Sequence, residues 1–215
     1  MASAPFEKLP LGPNFLSCLA LAAAAAFALG LIASSSSITT GGYNTFIGYG
    51  SGDALTDADG NVGVGHDTLG ANVHSDRNTA VGYGAGYDIT TGGYNCLFGF
   101  SAGENLTIGA SNNFLSMYAG YAATEASYST GIGYQALYDL TTGNHNVAIG
   151  LQSQYDTNTG HSNTGVGNYS LYGNTTGYEN QTTDWMGNQQ TNYTEPYGNN
   201  TGSRKNTTPS IGKHN

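Results

Sequence analysis

Polar and apolar positions along this chain repeat at a fixed step. Segments of the form Asn-small-x-aliphatic-Gly begin at Asn44, Asn61, Asn78, Asn95, Asn112, Ser129, Asn146 and Asn163, with a degraded copy at Asn180. Successive starts differ by 17 residues without one insertion. A constant period over eight clear copies makes each copy one turn of a structure that stacks on itself. Equivalent positions form columns, named here by their first member. The Ile47 column is apolar throughout: Ile47, Val64, Val81, Phe98, Leu115, Ile132, Ile149 and Val166. The Thr45 column is mostly small or β-branched, and the Tyr49 column is mostly aromatic or long. Positions one, three and five after each start share the period of a strand. This pattern predicts a strand in every repeat, with the Ile47 column lining the core.

The second half of the repeat carries another phrase. It reads ITTGG from Ile38, YDITTGG from Tyr87 and YDLTTGN from Tyr138. An aliphatic residue recurs eleven positions after the start, at Leu55, Ile89, Leu106 and Leu140. A polar, Gly-rich run follows it, which predicts a second short strand entering a turn. Each rung then reads strand, corner, strand, corner. Stacked rungs pair their backbone groups with the rungs above and below, giving a rod about 40 Å long. Two short strands enclose little volume, and the Gly and Ala columns offer flat faces. An oligomer of three chains around one axis is therefore expected.

Composition supports the repeat and removes some functions. Gly accounts for 33 of 215 residues, Tyr for 16, and charged residues for 9%. Net charge is −9 and the five Lys and Arg are scattered, so no basic patch exists to bind nucleic acid. Two cysteines, Cys18 and Cys96, make no disulfide framework and no zinc spacing. Neither His66, His74, His145, His161 nor His214 stands at ligand spacing, and GxSxG, HExxH and P-loop motifs are absent. No enzyme and no cofactor is expected.

The ends differ from the middle. Residues 1–14 form an N-terminal arm, and 15–33 read FLSCLALAAAAAFALGLIA without a charge. Pro10 and Pro13 precede this run and the Ser34–Ser37 stretch closes it, which predicts an apolar helix over 15–35. Its Ala content favours close packing within an assembly. A transmembrane anchor and a cleaved signal peptide are the competing readings, the second disfavoured by a poorly basic n-region. The repeat domain spans 38–188, and 189–215 form a polar cap or tail. Trp185, Tyr197, Arg204 and Lys205 mark the C-terminal end as a cap or a receptor-contacting tip. The Asn-x-Thr sequences at Asn174, Asn180, Asn192, Asn199 and Asn206 follow from composition.

Two clusters are candidate sites. Asp57, Asp59 and Asn61 alternate as oxygen ligands do at the start of a calcium loop. Gly60 falls at the fourth place instead of the sixth and no Glu follows at the twelfth, so a solvated turn competes. Tyr87, Tyr121, Tyr138, Tyr155 and Tyr172 share one column, with Asp88, Asp139 and Asp156 following three of them. This strip is either a glycan contact or a structural ladder in which each ring covers the rung below.

The module NTAVGYGAG at Asn78, like NVAIGLQS at Asn146, resembles the head repeat of YadA-type trimeric autotransporter adhesins. Similar repeats occur in bacteriophage tail fibres and spikes. The resemblance implies an all-β fold, a left-handed, parallel, trimeric β-roll solenoid on an extracellular or virion surface, to which the residues themselves add the N-terminal apolar helix. It departs from the autotransporters after Asn180, where neither coiled-coil heptads nor barrel strands follow. The expected role is a fibre, spike or decoration protein on a virion surface. Its N-terminal segment would join other virion proteins, and its roll would adhere to a host glycan or receptor. The alternatives are a bacterial surface adhesin anchored by residues 15–33 and a self-assembling extracellular filament.

Overall fold

The computed structural model describes residues 40–182. The arm at 1–14, the helix expected over 15–35 and the tail at 189–215 lie outside the described residues. Nine short strands follow one another: β1 (Thr45–Ile47), β2 (Val62–Val64), β3 (Thr79–Val81), β4 (Cys96–Phe98), β5 (Asn113–Leu115), β6 (Thr130–Ile132), β7 (Val147–Ile149), β8 (Thr164–Val166) and β9 (Gln181–Thr182). They form a single parallel sheet in sequence order. Thr45 pairs with Val62, and Val62 with Thr79, so each residue lies beside the one 17 positions later. The chain is an all-β solenoid, and among the described residues no segment is helical.

The second strand of each rung does not form. Around Leu55, Ile89, Leu106 and Leu140 the chain runs through turns and bends. Single left-handed residues interrupt every rung. In the rung from Asn95 these are Ser101 (φ 53°), Gly103 (φ 58°) and Ser111 (φ 60°). An L-residue in this region costs roughly 1–2 kcal/mol and bends the chain sharply, so no extended run survives between corners. Neighbouring rungs still satisfy one another there. Gly103 N–H donates to Ala119 O (2.9 Å), Asn105 N–H to Tyr121 O (3.2 Å) and Thr107 N–H to Thr124 O (2.9 Å).

The core lies one residue away from its expected position. Ile47, Phe98, Ile132 and Ile149 are exposed, and Val64, Val81, Leu115 and Val166 are half-buried. The Phe46 column points inward instead, with Ala80, Leu97, Phe114 and Ala148 fully buried. Period-two alternation states which residues share a face but not which face is inside. The inner column looked patternless because its large and small members fill each other's space. A Cβ on Gly63 would lie 2.6 Å from Phe46 Cδ1, and one on Gly131 3.2 Å from Phe114 Cδ1. Leu55, Ile89, Leu106 and Leu140 complete the interior with Ala85, Ala102, Ala119 and Ala136, all at 0% exposure.

One side of the interior is polar. Asn61 N–H donates to Asn44 Oδ1 (2.8 Å), Asn78 N–H to Asn61 Oδ1 (2.8 Å), and Asn95 N–H to Asn78 Oδ1 (2.9 Å). Each Nδ2 turns to a carbonyl fourteen residues on: Asn61 to Ser75 O (2.9 Å), Asn78 to Gly92 O (2.9 Å), Asn112 to Ala126 O (2.7 Å). The invariant start of the repeat is thus a buried amide ladder. Ser129 is its one substitution between Asn44 and Asn180. Its hydroxyl accepts from Asn146 N–H (3.2 Å).

Candidate functional site

Among the described residues the interior is filled with buried side chains, so the groups open to a partner lie on the outer surface of the rod. Strand alternation brings the Thr45, Ile47 and Tyr49 columns to one outer face. From Thr45 to Asn168 these columns hold no Asp, Glu, Lys or Arg. Tyr49 is 59% exposed, Tyr83 50% and Phe98 41%. Eight rungs of about 4.8 Å, each about five residues wide, give a strip of roughly 600 Å². That is the upper end of apolar patches on monomers. Acidic residues occupy other columns, and Arg77 is the only Lys or Arg among the described residues.

Aromatic rings form two stacks. Tyr49, His66, Tyr83 and Phe100 follow one another at centroid separations of 5.1, 5.0 and 5.1 Å. Tyr121, Tyr138, Tyr155 and Tyr172 do the same in the Asp53 column at 5.1, 4.9 and 5.1 Å, with interplanar angles of 14°, 2° and 7°. Tyr118 joins them, edge-on to Phe100 at 5.4 Å and to Tyr121 at 5.5 Å. Of the five tyrosines expected in one strip, four stack together. Tyr87 stands apart, because Glu104 follows it in the column. Both faces of Tyr138 and of Tyr155 are covered by neighbouring rings, so a sugar has no face to stack on there.

Carboxyl groups flank the upper stack. Burial pushes Asp139 and Asp156 above the usual carboxylate range, and Asp139 adds to the shift at Asp156. Burial, then Glu104, does the same for Asp88. Burial also raises the Tyr138, Tyr155 and Tyr172 phenols. The unfolded chain binds protons less tightly at these carboxyls than the rod does. Their contribution is therefore most favourable in acid and is lost as pH rises through the raised values. Asp57 acts in the opposite sense, held low first by its hydrogen bond with His74. The expected result is that Asp139→Asn/Asp156→Asn flattens the fall in melting temperature between about pH 4 and pH 7, measured by calorimetry. An unchanged slope would show that solvent screens both groups.

The calcium trio is dispersed. Asn61 is buried in the amide ladder, and Asp59 Oδ1 accepts from Gly42 N–H (2.6 Å). Asp57 pairs with His74 Nδ1 (2.5 Å) on the next rung. Each side chain is committed to the rung beside it, and the three do not converge. Among the described residues no group of three His, Cys, Asp or Glu is placed to hold a metal.

The remaining residues have structural partners. His66 stacks in the first ladder, His145 on Tyr128 (5.0 Å) and His161 on Tyr178 (5.2 Å). Cys96 lies half-buried in the Thr45 column, its thiol pushed up by burial. Asn174 and Asn180 are buried, which closes both to glycosylation in the folded rod. Cys18, His214 and the other Asn-x-Thr sequences lie outside the described residues. Among the described residues no helix is long and apolar enough to cross a membrane, and 15–33 lie outside them.

Sequence reasoning missed the amide ladder and the uncharged outer face. Both had a signal: an Asn invariant in eight of nine starts, and three columns without a charge. The fold and surface together define a parallel β-solenoid with one continuous uncharged outer strip. No family model, curated protein or solved structure matches the chain.

Proposed function

We propose that the chain is the rigid rod of a homotrimeric fibre or spike. In this reading it projects from a virion surface, is attached through its N-terminal segment and serves adhesion to the host. The uncharged apolar strip carries the proposal. Acidic rods repel one another, and only this face lets two copies approach without burying a carboxylate. In a trimer its roughly 600 Å² is shared between the two neighbours of each chain. A parallel arrangement around a threefold axis closes the assembly and covers the strip on every chain. The threefold axis and the left-handed sense come from the resemblance to YadA-type heads and phage fibres. A stack of rungs bonded along its whole length suits a stiff spacer.

Two carboxylate substitutions test the reading. Ile149→Asp, on the outer strip, is expected to leave the circular dichroism spectrum intact and to convert a three-chain mass into a one-chain mass. Leu97→Asp, fully buried in the Phe46 column, is expected to abolish folding, because it buries an unpaired charge. A wild-type monomer, or an Ile149→Asp trimer, would overturn the trimeric reading. Recovery in membranes and not in purified particles would replace the virion assignment with the membrane-anchored adhesin.

A further inference from the structure

We propose that the break in the tyrosine column at Glu104 is a slot for one pyranose ring, with Tyr87 on one side and Tyr121 on the other. This names a ligand class for the adhesive reading above and rests on it. A pyranose presents C–H groups on its faces and hydroxyls at its rim, so it needs open aromatic faces with acceptors beside them. At Tyr138 and Tyr155, inside the upper stack, both ring faces are covered. Tyr118 does not close the slot. It meets Tyr121 and Tyr138 at 84° and 73°, and so stands beside the stack.

Among the described residues Tyr87 makes no ring–ring contact, and it is 42% exposed. Its ring leans onto Gly70, where a Cβ would lie 2.6 Å from Cε2, and so leaves the side toward Glu104. The Glu104 carboxylate leans off the column over Gly84, its Oε2 3.5 Å from a Cβ placed there. Tyr87 and Tyr121 are two rungs apart, about 9.6 Å, or near twice the roughly 4.5 Å of a close ring-stacking contact. Asp88 and Glu104 supply acceptors at the rim. Burial and the Glu104 charge hold the Asp88 carboxyl above its ordinary range, and sugar hydroxyls donating to the two groups would relieve that repulsion.

The test titrates the full chain with methyl pyranosides of glucose, galactose, mannose and N-acetylglucosamine, followed by NMR. At least one is expected to bind saturably. Tyr87→Ala is expected to weaken it about tenfold, the loss of one stacked face. Tyr155→Ala, inside the closed stack, should leave affinity within about twofold. The most informative variant is Glu104→Tyr, which completes the stack: it should abolish sugar binding while raising the melting temperature. Saturable binding that survives Glu104→Tyr, or no binding by any pyranoside, overturns the slot. Adhesion of the Glu104→Tyr fibre to its host surface would overturn the slot alone and leave the adhesive reading standing.

Discussion

Asn78→Leu is expected to destabilise the rod by about 4 kcal/mol. The substitution keeps the heavy-atom count and branching of the side chain and removes its polar atoms, so the loss combines unpaired hydrogen-bonding groups with some overpacking by the larger methyl groups. Asn78 is fully buried. Its Oδ1 accepts from Asn95 N–H (2.9 Å) and Asn95 Nδ2 (3.0 Å), and its Nδ2 donates to Gly92 O (2.9 Å) and Ser75 Oγ (3.0 Å). Leu leaves a backbone donor and a backbone carbonyl without partners in the interior. Each such group costs about 1–3 kcal/mol. In a rod held by nearest-neighbour contacts the damage is local, so denaturation monitored by circular dichroism should become broader or biphasic. Ser129→Asn is the reverse experiment. It restores an Nδ2 for the Gly143 carbonyl and should raise stability by about 1 kcal/mol. A neutral Asn78→Leu would mean that the ladder follows the fold without supporting it.

The period, the strand positions and the one-rung register were legible because a solenoid writes the same constraint once per turn. Leu106 and its column were legible as interior for the same reason. Three features were not. The inner and outer faces were exchanged because Ile47, Val81 and Ile149 are uniformly aliphatic, whereas Phe46, Gly63 and Leu97 vary in size. Apolar uniformity there marks a surface that repeats regularly, and the variation marks side chains that interlock along the axis. The second strand failed because Ser101 and Ser111 adopt left-handed geometry, which nothing in a serine requires. The tyrosine strip was read as one element although Glu104 interrupts it. That interruption is visible in the sequence, but its consequence depends on which ring faces the neighbouring rungs cover.

Gly82→Ala is expected to cost more than about 3 kcal/mol and to reduce the yield of folded protein. Gly82 has φ 130°, a conformation that L-residues rarely adopt. A Cβ there would also lie 2.4 Å from Gly99 O and 2.6 Å from Gly99 C. These are backbone atoms held by their own rung, since Gly99 N–H donates to Val81 O (2.8 Å). Relief would require one rung to shift against the other where β3 and β4 are paired. The same geometry recurs at Gly48, Gly65, Gly133 and Gly150, so backbone approaches backbone closely along the whole column. Ser116 occupies this column with φ 136° and sets the scale of the penalty. It already bears the backbone strain that alanine would introduce at Gly82. Ser116→Gly should therefore stabilise the rod by about 1–2 kcal/mol, measured by chemical denaturation beside Gly82→Ala. Opposite signs for the two changes would show that backbone approach between rungs, and not side-chain chemistry, selects glycine here. A neutral result for both would mean that the rungs have more room than their stacking distance allows.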